Sequence, residues 1–147
     1  MKAPTLFLAI ALLAGAMPVI GDEAPVFSTG AGAIDGYDPV AYFTVGKAVK
    51  GLEEVTYEWN GAKWHFSNVE NREKFRGDPE KFAPEFGGYC AYAMTDGTYA
   101  APKPEVFVIR DGALYLHYNE AIRKTWLKNV KGFIVGALEN WQLREQS

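Results

Sequence analysis

The sequence predicts an α+β domain: an antiparallel sheet from two β-hairpins, with helices packed on it and a helical C-terminus. Three observations carry that expectation. Residues 55–59 and 63–66 alternate polar and apolar around Asn60-Gly61, and residues 106–110 and 113–117 do so around Asp111-Gly112. Asn-Gly and Asp-Gly supply the positive φ that a two-residue hairpin turn requires. Each hairpin is then followed by helix signals, an order that suits an antiparallel sheet with helices packed against one face.

Taken in order, the chain opens with Met1-Lys2 and an apolar run from Ala3 to Ala14. Ala14-Gly15-Ala16 fits a small-x-small cleavage pattern, and Gly21 is a second possible site. Residues 1–21 thus read as a secretory signal peptide, cleaved after Ala16 or Gly21. The apolar stretch is short for a membrane span and Pro18 interrupts it, so no stable membrane insertion is expected after leader removal. Residues 22–35 are rich in Gly, Ala and Pro and read as a flexible lead-in. A single domain is expected over residues 36–147.

Within it, Gly36-Tyr37-Asp38-Pro39 reads as a turn, with Pro39 disfavouring helix at Asp38. After the first hairpin, Ser67-Asn68-Val69-Glu70 matches a capping box, predicting a helix through Phe75 that begins at a Ser67 cap. Asp78-Pro79 starts a second helix, aspartate as cap and proline in the first turn. Lys103 and Glu105 flank Pro104 in an expected loop. Beyond the second hairpin, Asn119 caps a helix over residues 120–127. A last helix over 131–144 places Ile134, Ala137, Leu138 and Trp141 at helical spacing. No internal repeat of fixed period is visible, because the residues of the two hairpin–helix units do not match.

Composition narrows the function. Leader removal takes away Lys2 and no acid, so the formal charge of −3 becomes −4. Mild acidity argues against nucleic acid, whose phosphates call for a basic face. The single cysteine makes no internal bridge in the oxidising periplasmic or extracellular setting that the leader implies. Stability must come from packing, and the 14% aromatic content supplies large side chains for it.

Phe86-Gly87-Gly88-Tyr89-Cys90-Ala91-Tyr92-Ala93-Met94 is the most informative stretch. It holds the sole cysteine and the only methionine beyond the leader. Thiolate and thioether are soft ligands that favour copper(I). A metal site would be built from Cys90, Met94, His65 and His117, with Tyr89 or Tyr92 as distant candidates. Cys90 and Met94, four apart, share one face if the segment is helical. Against this, an unpaired cysteine is often a buried small hydrophobe, and each histidine is equally read as half-buried and bonded to backbone.

Cys–His catalysis would use His65 or His117 as base and Asp111 or Asn119 to orient it. No local signature of the cysteine hydrolases surrounds Cys90, and no resolving cysteine supports thiol redox chemistry. No phosphate loop, dinucleotide fingerprint or readable carboxylate pair is present. Tyr37, Tyr42, Tyr89, Tyr92, Tyr115 and Tyr118 are many amphipathic rings for one domain and suit either a ligand cleft or the core.

The run from Trp64-His65-Phe66-Ser67 to Phe75, followed by Asp78-Pro79-Glu80-Lys81-Phe82, resembles the core of the YHS domain family. Gly36-Tyr37-Asp38-Pro39-Val40-Ala41-Tyr42-Phe43 resembles that family's opening motif. Tyr89-Cys90-Ala91-Tyr92-Ala93 and the late Asp111-Gly112 hairpin resemble its exported bacterial branch. The resemblance spans Gly36 to Trp141. It implies a link to metals, because YHS domains are similar to the cysteine-bearing TRASH modules of copper- and heavy-metal-handling proteins. The matching cysteine positions here are Ser67 and Asn71, so that metal site does not carry over. The expectation is therefore a small exported, non-catalytic protein that binds a soft, copper-like metal ion or a small ligand near Cys90. The alternative is a protein-interaction module in which Cys90 is structural.

Overall fold

The computed structural model describes residues 23–146, and the predicted leader lies outside them. The fold is α+β, with the strands forming three separate two-stranded antiparallel ladders. The first, β1 (Ser28–Thr29) with β2 (Gly32–Ala33), is small. The two main hairpins are β3 (Leu52–Trp59) with β4 (Ala62–Phe66), and β5 (Lys103–Arg110) with β6 (Ala113–His117). They turn at Asn60-Gly61 and Asp111-Gly112, all four residues at positive φ, as two-residue hairpins demand. Among the described residues no ladder joins the two hairpins.

Single-turn helices α1 (Ala41–Thr44), α3 (Pro79–Phe82) and α4 (Ala91–Met94) lie in the connections. Longer helices follow each hairpin: α2 (Val69–Gly77), then α5 (Glu120–Leu127) and α6 (Val130–Glu145). Residues 23–35, expected as a flexible lead-in, are ordered against the rest. Val26 is buried, the Phe27 amide donates to the Gly87 carbonyl at 2.8 Å, and Ala33 and Ile34 join the core.

Three details differ from the sequence reading. The cap of α2 is Asn68, whose side chain accepts the Asn71 amide at 2.8 Å, because Ser67 is turned to the Asp38 carboxylate instead. Lys103, Pro104 and Glu105 lie in β5, where Glu105 receives the Tyr37 hydroxyl and Pro104 sits in an irregular stretch that requires no amide donor. And the chain contains an internal repeat. The pairs Leu52↔Phe66, Thr56↔His65, Tyr57↔Trp64, Glu58↔Lys63 and Trp59↔Ala62 recur as Lys103↔His117, Phe107↔Leu116, Val108↔Tyr115, Ile109↔Leu114 and Arg110↔Ala113. Every position is displaced by 51, including the register shift in the same place.

The match extends outward from the hairpins. Asn68 and Asn119 both cap the next helix, and Phe75 and Trp126 bury one ring each on it. Ahead of the hairpins, Ile34-Asp35-Gly36 and Phe86-Gly87-Gly88 both run through left-handed φ into Gly-Tyr-Asp38 and Gly-Tyr-Cys90. The Asp38 amide donates to Val49 O and the Cys90 amide to Ala100 O. The two copies share one backbone module and carry different side chains on it.

Two apolar clusters form among the described residues. One gathers Ile34, Val40, Tyr42, Trp64, Phe66 and Phe75 of the first copy with Leu114 and Leu116 of β6. The other gathers Phe86, Ala91, Met94, Tyr115, Trp126 and Ala137. Strand alternation thus sends the two faces of β6 to different cores.

Candidate functional site

The Phe86–Cys90 segment is held in its turn by sterics. A Cβ on Gly87 would stand 2.1 Å from the Pro25 carbonyl oxygen, and one on Gly88 2.6 Å from Ile34 Cγ2. Both glycines are therefore fixed by close approach as well as by positive φ. The turn delivers Cys90 to the start of α4 with its side chain 1% exposed. Its Sγ accepts the Tyr118 amide at 3.3 Å.

The first copy shows what this position is built for. There the residue is Asp38, fully buried. One carboxylate oxygen accepts the Val40 and Ala41 amides at 2.8 and 3.3 Å. The other accepts the Ser67 amide, the Ser67 hydroxyl and Asn71 Nδ2 at 2.8, 2.7 and 2.8 Å. A buried carboxylate is tolerable only when its lone pairs are met in this way. Ser67 and Asn71 are the positions at which the YHS–TRASH resemblance would place thiolates, and both are committed to Asp38. The residues present do not fit a metal there.

In the second copy the trio Asp38, Ser67 and Asn71 is replaced by Cys90, Tyr118 and Ile122. Of the five bonds only the counterpart of the Ser67 amide persists, from the Tyr118 amide to Cys90 Sγ, and a cleft of about 310 Å³ opens, lined by Cys90, Tyr92, Ala93, Asp96, Thr98, Ala100, Tyr118 and Ile122. Its wall is apolar apart from Asp96, Thr98 and the tyrosine hydroxyls. Where the first copy closes the position with hydrogen bonds, the second leaves a thiol under an open apolar cleft.

The remaining predicted residues fall as follows. Met94 is fully buried among Trp126 and Ala137 in the second core, and its carbonyl accepts Asn140 Nδ2 at 3.0 Å. His117 is also fully buried, with its ring 4.8 Å from that of Trp126 and neither ring nitrogen hydrogen-bonded. Burial, reinforced by Arg123, lowers its pKa from 6.5 to about 4, so it is neutral at ordinary pH. It occupies the place that Phe66 holds in the first copy, where Phe66 meets Phe75 at 5.3 Å. Cys90, Met94 and His117 thus belong to the second copy. His65 does not join them: it lies in β4, with Nδ1 donating to Leu52 O at 3.1 Å, and lines a different cleft. Among the described residues, no three His, Cys, Asp or Glu side chains are grouped to hold a metal ion.

Asp38, Tyr118 and Ile122 were not visible as partners in the sequence. The signals that could have found them are positional: Gly-Tyr precedes both Asp38 and Cys90, and an asparagine follows each hairpin turn at the same spacing. Compared with family models, curated proteins and solved structures, the chain finds no match in any of the three.

Proposed function

We propose that this chain is a small exported YHS-type domain, non-catalytic, whose second copy binds a small and largely apolar ligand in the Cys90 cleft. One observation carries the reading: the position that Asp38 seals with hydrogen bonds in the first copy holds, in the second, a buried thiol beneath an apolar cleft. The non-catalytic reading is supported by the Cys90 Sγ being met by a backbone amide rather than an imidazole. Among the described residues no helix is long and apolar enough to cross a membrane.

A soft, copper-like ion is the second reading. It is favoured by the placement of Cys90, Met94 and an unpartnered His117 in one copy.

The deciding experiment is an NMR screen of small apolar compounds against the mature protein, with anaerobic copper(I) titration of wild type, Cys90→Ser and Met94→Ala beside it. Shifts at the amides of Tyr92, Tyr118 and Ile122 that vanish in Ile122→Trp, which fills the cleft, support the ligand reading. Stoichiometric copper(I) binding lost in Cys90→Ser supports the metal reading. Neither kind of binding, with a thiol that resists alkylation until unfolding, makes Cys90 a core residue and leaves the interaction-module alternative.

A further inference from the structure

The first copy holds its own concavity, sharing no lining residue with the Cys90 cleft. It measures about 510 Å³, and Gly32, Lys50, Gly51, Glu53, Lys63 and His65 define it. His65 is 8% exposed, and its Nδ1–H is spent on the Leu52 carbonyl. In the neutral ring that tautomer leaves the lone pair on Nε2, and no described residue donates to it.

Two glycines let the backbone pack close against His65 without a side chain striking it. A Cβ on Gly32 would stand 2.5 Å from His65 Cδ2 and 2.8 Å from Nε2, and one on Gly51 2.6 Å from His65 Cβ. The frame does not demand a histidine here, because the matching position in the second copy is Leu116, fully buried in the core.

Charge and hydrogen-bonding capacity name the ligand class. Lys50 Nζ is held by the Asp35 carbonyl at 2.7 Å and lies 3.9 Å from the Asp35 carboxylate, which offsets its charge. Lys63 has no hydrogen bond or ion pair among the described residues. Its ammonium calls for an anionic acceptor. His65 Nε2 and the Glu53 carboxylate call for the opposite, a hydroxyl that donates. A bare anion would set its lone pairs against both, and a neutral polyol would leave Lys63 unanswered.

We propose that this pocket binds a small hydroxylated carboxylate of the sugar-acid class, its carboxylate on Lys63 and its hydroxyls donating to His65 Nε2 and Glu53. This site is independent of the Cys90 cleft. The test is an NMR titration of the mature protein with D-glucuronate, D-glucose, acetate and inorganic phosphate in parallel. Glucuronate is expected to shift the amides of residues 30–32 and 63–65, with the other three binding about tenfold more weakly or worse. His65→Leu, the residue of the other copy, and Lys63→Ala should each weaken glucuronate about tenfold, while Cys90→Ser leaves it unchanged. If His65→Leu fails to fold, the exposed Lys63→Ala decides. No shift with glucuronate, equal binding of acetate, phosphate or glucose, or full binding by Lys63→Ala would overturn the proposal.

Discussion

His117 and Asp38 are both buried and polar, yet the protein treats them in opposite ways. Asp38 has every lone pair engaged, so Asp38→Ala strands the donors of Val40, Ala41, Ser67 and Asn71. We expect it to cost about 4 kcal/mol in urea unfolding, against about 1.5 for Ser67→Ala. His117 has nothing engaged and is stable only as the neutral ring. Its folded pKa of about 4 lies below the ordinary 6.5, so the unfolded chain binds the extra proton between those values. Stability is whole above pH 6.5 and falls by about 3 kcal/mol as pH drops to about 4. His117→Phe, restoring the residue of the other copy, should remove that part of the acid sensitivity and stabilise the protein at neutral pH. Thermal unfolding of both proteins across that pH range checks it; parallel acid curves would contradict it.

Among the elements, the helix caps give a direct comparison. Asn68→Ala and Asn119→Ala should each lower stability by about 1 kcal/mol, whereas Glu70→Ala should cost only about 0.3 kcal/mol through its exposed ion pair with Lys74, because no capping box forms at Ser67. Calorimetry of the three variants distinguishes the two caps. The hairpins were legible because Asn-Gly and Asp-Gly fix both turn and register, and the α5 cap because Asn119 has no rival. The α2 cap shifted by one residue because Ser67 had a long-range partner in Asp38 that no local pattern reveals. The outer ends of β3 and β5 escaped notice because Glu53-Glu54 and Pro104-Glu105 sit in the register shift, where alternation is lost. Cys90 was legible as the centre of interest. Its cleft was not, since Tyr118 and Ile122 come from beyond the second hairpin. His117 read as a candidate ligand because imidazole is a common metal ligand, yet its position is that of a core aromatic.

At the scale of the whole molecule, β6 joins the copies. Leu114 and Leu116 fill the first core while Tyr115 enters the second, and Tyr42 of the first copy donates its hydroxyl to Pro104 O at 2.8 Å and packs on Phe107. Leu116→Ala should therefore cost about 3 kcal/mol and loosen both copies together. Hydrogen exchange would show this as a matched loss of protection at β4 and at α5; loss confined to one copy would mean that the copies are separate cooperative units. The two-faced strand also bears on the order of assembly. A slip of one residue in β6 would exchange the leucines for Tyr115 and His117 and spoil both cores at once. Neither core can close until the β5–β6 register is set, so this hairpin belongs in the folding nucleus. Substitutions in β6 should slow folding, and those in α2 should chiefly hasten unfolding; stopped-flow kinetics would read the difference as high and low φ values.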